Sequence, residues 1–347
     1  MPRIEDQVRD SITYLYPSVE AAEKGETDDG QRVGGGSGFL VWVKSERNEY
    51  LGFVYAVTNA HVIKEAKSPV VRVNNRDGST IIKAFTVADW KTHKNSDLAM
   101  VCFESMISDS TPLYRAIKSD MLITKEMVEL LNIGLGDDVY MVGRFVHHAG
   151  KKQNMPSARS GIVSMMPNTD EPIRMTKKDS EPEAFLIEMR SLSGFSGSPV
   201  IFSIPPEHGE LRIERGGKIE RGDIELGAWL LGIDRGNFCF REKVREQVPD
   251  GRLKNSDTLF VDTHSGHSVV IPAWRLTEMI NREDFAMARK QAEEEQDYVR
   301  VDDFGRLDAE TSKGKAIDEE QGISKEGFED ALRRASRHVS QPDEETK

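Results

Sequence analysis

The chain has 347 residues, 37% of them hydrophobic and 31% charged, with a formal net charge of −12 and a pI near 5.3. That length fits one large or two modest globular units plus tails, and the acidic balance repels nucleic acid and anionic lipid, excluding both as expected partners. Two cysteines, Cys102 and Cys239, exclude a small disulfide-dense scaffold and read as reduced thiols.

The N-terminal stretch MPRIEDQVRDSITYLYPSVE has no apolar core of the signal-peptide kind, and no later run reaches the ~18 apolar residues of a membrane span. The chain therefore reads as soluble and cytoplasmic. A short helix is predicted near Ile4 to Tyr14, and residues 1–36 read as an arm ending in the glycine-rich lead-in EKGETDDGQRVGGG. From Ser37 to Ile271 the pattern is all-β. Runs such as SGFLVWV, LGFVYAVT, PVVRV, DLAMVCF, DVYMVG, SGIVSMM, AFLIEM, SPVIF, AWLLGI, TLFV and SVVIP are rich in Val, Ile, Phe and Tyr, and most are separated by turn residues.

Helical periodicity interrupts that series at TKEMVELLN, and follows it in PAWRLTEMINREDFAMARKQAEEEQ. The segment IPPEHGELRIERGGKIERGDIELG predicts a charged hairpin about Gly216 and Gly217. Residues 283–347 read as an acidic tail, which from about Glu293 onward begins with a stretch too polar to fold alone. Ile323, Phe328, Leu332 and Ala335 then recur at near-helical spacing, predicting one amphipathic helix over about 323–338 that docks on the chain's own body or on a regulatory protein partner.

Three separated stretches carry chemistry: AVTNAHVI, NSDLAMV and SGFSGSPV, with His61, Asp97 and Ser196. A serine hydroxyl is a poor nucleophile near neutral pH. It needs an imidazole to accept its proton, and the imidazole needs a carboxylate to fix its tautomer and stabilise its charged form. His61 directly follows an apolar strand, Asp97 opens another, and Gly194 and Gly197 flank Ser196 in a tight bend. Such a bend can aim the Gly194 and Ser196 amides at one point as an oxyanion hole, worth on the order of 3 kcal/mol per donor.

The ordered motifs T-N-A-H-V, D-L-A and G-F-S-G-S-P resemble those of the chymotrypsin-like, or trypsin-fold, serine peptidases, and S-G-S-P resembles the bacterial glutamyl-endopeptidase branch. The resemblance runs from about Asp10 to Ile280. It implies a protease domain at 37–282, built of two six-stranded antiparallel β-barrels at about 37–120 and 136–272, with short helices at both ends. It also implies a serine endopeptidase that works through a His61–Asp97–Ser196 triad and an acyl-enzyme, with no cofactor and no metal. The alternative is a latent or inactive protease-like binding module.

Departures from the family pattern shape further expectations. QRVGGG resembles a zymogen cleavage site, but Phe195 stands where trypsins place the aspartate that pairs with the freed amine, so cutting at Arg32 is not expected to switch the protein on. The positions that read the P1 side chain in this family fall at Arg190 and Asp234. Their opposite charges predict a polar P1 residue, basic ahead of acidic, or mutual neutralisation. His147, His148, His264 and His267 read as solvated loop residues. His93 lies in the polar loop WKTHKNSD, with no strand before it to fix the ring.

Overall fold

The computed structural model describes residues 4–25, 35–48, 50–108, 114–175, 183–189, 193–203, 211–213, 219–221, 228–247 and 253–295. Arg190, Arg32 and the helix expected at 323–338 lie outside them. Helix α1 (Asp6–Asp10) is followed at once by strand β1 (Ile12–Tyr16). The strand corrects the sequence reading, which ran the helix on to Tyr14 and left this stretch in the lead-in. Ile, Thr and Tyr take over from the polar turn, and all five side chains of β1 are buried.

Strand β1 pairs on one side with β2 (Gly36–Lys44) and on the other with β4 (Val70–Asn74). The sheet runs β5 (Thr80–Lys83), β4, β1, β2, β3 (Leu51–Thr58), β7 (Ala99–Ser108), β6 (Lys91–Thr92), with β8 (Ile117–Lys118) parallel to β2. This first unit is a curled eight-stranded half-barrel. Its terminal strands are half-exposed β5 and two-residue β6, which are too short to pair with each other and complete a closed six-stranded barrel. Between β3 and β4 lies the short helix α3 (Ala60–Lys64).

The second unit closes. Its six strands are β9 (Asp138–Gly143), β10 (Ser157–Met165), β11 (Phe185–Glu188), β12 (Pro199–Ser203), β15 (Ala228–Gln247) and β16 (Leu253–Pro272), joined in the order β10-β11-β16-β15-β12-β9. The expected charged hairpin forms from β13 (Leu211–Ile213) and β14 (Ile219–Arg221). Met141, Val163, Phe185, Phe195, Phe202 and Leu231 fill this barrel, each contributing about 1.5–3 kcal/mol by leaving water. The sequence had suggested separate short strands within 228–272. Instead β15 and β16 are 20 residues each and continue well past the barrel wall.

Helices fall where capping chemistry allows. In α2 (Val19–Lys24) the Ser18 side chain accepts from the Ala21 amide, and Gly25 ends the helix at φ 67°. In α4 (Lys125–Leu130), within the TKEMVELLN segment, Thr124 accepts from the Met127 amide. Helix α5 (Ala273–Ile280) leaves β16 at Pro272 and buries Trp274, Leu276, Met279 and Ile280. Its Trp274 Nε1 donates to Glu183 Oε1 at 2.6 Å, which docks the helix on the second barrel. No helix among the described residues is long and apolar enough to cross a membrane. Cys102 and Cys239 are both free and exposed.

Candidate active site

His61 enters from the first unit, in the opening turn of α3 directly after β3. The N-cap residue, Asn59, makes no side-chain cap bond. The missing cap comes from Asp97, whose Oδ1 accepts the His61 amide at 2.9 Å while its main-chain oxygen takes the Ala60 amide at 3.2 Å and Asn59 Nδ2 at 3.1 Å. With the backbone so fixed, Asp97 Oδ2 meets His61 Nδ1 at 2.6 Å. A carboxylate at this nitrogen favours the tautomer with hydrogen on Nδ1, leaving Nε2 to accept a proton.

Burial alone pushes the His61 pKa down. The hydrogen bond and charge of Asp97, helped by Glu65, overcome that push and the opposing charge of Arg235, so the pKa stands above its ordinary value. Arg235, from β15, completes the arrangement with Nε at 3.4 Å from Asp97 Oδ2.

Ser196 enters from the second unit, on the elbow before β12. Gly194 and Gly197 bracket it at φ 97° and 88°, conformations that L side chains rarely adopt. Phe195, fully buried, anchors the elbow in the barrel core. Where the sequence comparison noted a lost aspartate, apolar burial does the anchoring. The Ser196 hydroxyl donates to the Arg235 carbonyl at 3.4 Å, and no hydrogen bond joins it to the His61 ring. Arg235 thus touches both Ser196 and Asp97. The Gly194 and Ser196 amides meet no acceptor among the described residues.

Sequence reasoning missed Ser37, which reads as an ordinary member of a strand. Its amide donates to the Ser196 carbonyl at 2.9 Å and its hydroxyl to the Gly194 carbonyl at 2.7 Å, while the hydroxyl oxygen accepts from the Arg144 amide at 2.7 Å. Thr58 Oγ1 donates to the Ser37 carbonyl at 2.7 Å. A residue of β2 in the first unit thereby clamps the serine elbow of the second. The only sequence signal was the run of glycines around it, which keeps the strand narrow there: a Cβ on Gly36 would press on the Ser196 carbonyl and Val62.

The remaining expected residues fall elsewhere. Asp234 is fully buried and accepts from the Ser268 hydroxyl, while its main chain pairs with Gly197 and Ser198. The buried carboxylate expected to read the P1 side chain thus has a hydroxyl partner in Ser268. Ser198 is buried behind the elbow. His93 faces Glu278 at 3.2 Å, and burial pushes its pKa down. His264 and His267 make local contacts with Gly266 and Ser265.

A carboxylate-held imidazole on one β-unit and a glycine-flanked serine on a second, both linked to Arg235, fit the trypsin-fold class of serine peptidases. Residues 36–203 match the family model described as "Trypsin-like peptidase domain", and this part of the chain belongs to that family. Among solved structures, the chain is similar to the apo protease domain of MamO from Magnetospirillum magneticum, at 16% identity and TM-score 0.41 over 80% of this chain and 99% of that one. It is also similar to an inactive form of the Rv3671c protease, at 14% identity and TM-score 0.38 over 79% of this chain and 88% of that one. No curated relative matches the sequence.

The elbow makes one prediction at once. A Cβ on Gly197 would collide with the Ser37 carbonyl and Thr58 Oγ1, at a φ of 88° that already strains any L residue. Gly197→Ala should therefore shift the serine while leaving the barrels folded. We expect covalent labelling of Ser196 by a fluorophosphonate to slow by about a hundredfold, the scale of a misplaced reacting group, with the circular dichroism spectrum unchanged.

Proposed function

We propose that the protein is a serine endopeptidase that hydrolyses peptide bonds through Ser196, His61 and Asp97. The observation that carries this reading is the double hold of Asp97 on His61, at 2.9 Å to the amide and 2.6 Å to the ring, beside a serine elbow whose Gly194 and Ser196 amides meet no acceptor among the described residues. Ser196 attacks the scissile carbonyl as His61 Nε2 takes its proton. The Gly194 and Ser196 amides receive the negative charge that forms on the carbonyl oxygen. His61 then protonates the leaving amine, and water repeats the sequence to release the acyl group. No step calls on a metal or cofactor. Incubation with a fluorophosphonate followed by peptide mapping tests the reading: one adduct, on Ser196, is expected, and an adduct elsewhere or none overturns it.

The hydrogen bond from Ser196 to the Arg235 carbonyl favours a second, alternative reading, in which the resting protein is latent and is labelled at Ser196 only once a partner acts. Rotation of the Ser196 side chain would transfer the hydroxyl from that carbonyl to the imidazole. A regulatory partner acting through the acidic tail, in the cytoplasm, would hold or release that resting state. The P1 preference is for a polar residue, basic ahead of acidic.

The pH dependence follows from the charges around His61. Only the neutral ring accepts a proton, so the labelling rate falls as pH drops through the His61 pKa. The midpoint should lie above the ordinary value of about 6.5, because Asp97 and Glu65 prevail over burial and Arg235. Arg235→Gln removes a cation that holds the pKa down, and the midpoint should move to higher pH. A profile that stays in place in this variant would show that the guanidinium does not reach the ring electrostatically.

A further inference from the structure

The barrel uses only the inner ends of its two longest strands. Pairing of β12 with β15 stops at Ile233, and pairing of β11 with β16 stops at His267. Beyond those points, among the described residues, β15 and β16 pair only with each other, from Cys239 opposite His264 to Gln247 opposite Leu253. A two-stranded ribbon therefore stands out from the barrel, and its outer edges carry no strand among the described residues. At about 3.3 Å per residue, 237–247 reaches roughly 35 Å.

Such a ribbon in water is marginally stable, and an unpaired edge is a template for another strand. This one also exposes apolar side chains. Phe238 and Phe240 meet edge to face at 5.6 Å. Phe240, 53% exposed, shares its face with Val261, 46% exposed, which stands in the register opposite Glu242. On the other face Arg241 and Lys243 lie over the ring of Phe260.

The root of the ribbon is the serine elbow. The Gly197 amide donates to the Asp234 carbonyl at 2.8 Å. One residue further on, the Arg235 carbonyl receives the Ser196 hydroxyl, and a Cβ on Gly236 would lie 3.6 Å from that hydroxyl. The pairing of β15 with β12 thus ends beside the nucleophile. A chain lying beside Ser196 continues along the ribbon without turning.

We propose that the ribbon of residues 237–247 and 253–266 is an extension of the substrate-binding edge, and that its occupant is an extended stretch of the substrate polypeptide, added as a third β-strand. The proposal rests on the peptidase reading and names its substrate class: unfolded or locally extended protein with apolar side chains at alternate positions, which meet Phe238, Phe240 and Val261. Strand addition supplies affinity through the main chain and selectivity through alternate side chains. A folded globular surface offers no free strand to add.

Two variants test it. In one, residues 240–263 are replaced by Asn-Gly, which closes the paired Cys239 and His264 with a two-residue turn. The other is Phe240→Ser with Val261→Ser. Each is made with Ser196 intact and with Ser196→Ala, and binding of a fluorescein-labelled, reduced and alkylated protein to the Ser196→Ala forms is followed by anisotropy. Binding should weaken by about tenfold or more in both, as several cross-strand contacts are lost. The circular dichroism spectrum of the Phe240→Ser, Val261→Ser variant should match that of the parent, so that lost binding is not lost folding.

Equal binding in all forms overturns the proposal. So does a shortened variant that is monomeric where the parent is dimeric but binds the unfolded protein as well as the parent does, since a second copy then occupies the edge. Should shortening also disturb the elbow and its labelling, the double serine variant decides. Absence of labelling in the intact protein counts against the peptidase reading alone, because the anisotropy comparison needs no catalysis.

Discussion

Ser196→Ala is expected to lose on the order of 10⁶-fold in kcat against a peptide substrate, the scale seen when a triad nucleophile is removed. The reason lies in how the site is built. His61 is held by Asp97 through ring and backbone together, so it has no other proton to accept once the hydroxyl is gone. The elbow would keep its shape, because Ser37 and Phe195 anchor it through the Ser196 carbonyl, the Gly194 carbonyl and apolar burial, none of which needs the Ser196 side chain. Substrate affinity should therefore be nearly unchanged. His61→Ala should cost a similar amount alone, and the double variant no more than either, since the groups act as a unit. Measured turnover in Ser196→Ala within tenfold of the parent would remove the mechanism.

The second large effect belongs to Asp97→Asn, for which a loss of about 10⁴-fold in kcat is expected. Asparagine retains one carbonyl oxygen, enough to keep the bond to the His61 amide that opens α3. Its other arm is an amide that donates toward Nδ1. The ring then carries its hydrogen on Nε2, the nitrogen that has to accept from Ser196. Stability should fall by only about 1–3 kcal/mol, the scale of one disturbed buried bond, so unfolding and kinetics separate the two roles. A kcat loss of tenfold or less, with the fold intact, would show that the Arg235 guanidinium and the local backbone orient the ring by themselves.

Much of this molecule is legible in its sequence, for physical reasons. Short β-branched and aromatic runs between turn residues announce a β protein, and TKEMVELLN announces α4 through Thr124 as its cap. His61 and Asp97 stand out because each adjoins an apolar strand that has to be rigid, and the structure joins them. Less legible were the features that depend on a partner distant in sequence. Nothing in ITYLY says that it lies between β2 and β4, because the register that buries both of its faces is set by other segments. Ser37 is one serine among many until the elbow arrives from the other unit.

The ribbon was missed for a different reason. NFCFREKVREQ alternates weakly between apolar and charged residues, and the charged positions mask a strand that ordinary hydrophobic runs would reveal. Arg235 was passed over as the neighbour of Asp234, although the buried aspartate holds the strand and the arginine reaches the imidazole's carboxylate.

The clamp that Ser37 places on the elbow also bears on the newly made chain. Ser37 leaves the ribosome long before Gly194 and Ser196, and the strand that carries it is part of the first unit. The nucleophile cannot take up its working shape until the late half of the chain has been synthesised and has come to rest on the early half. On the peptidase reading, cleaving power is thus withheld throughout translation, and a nascent polypeptide that ends before the elbow is harmless to itself and to its neighbours.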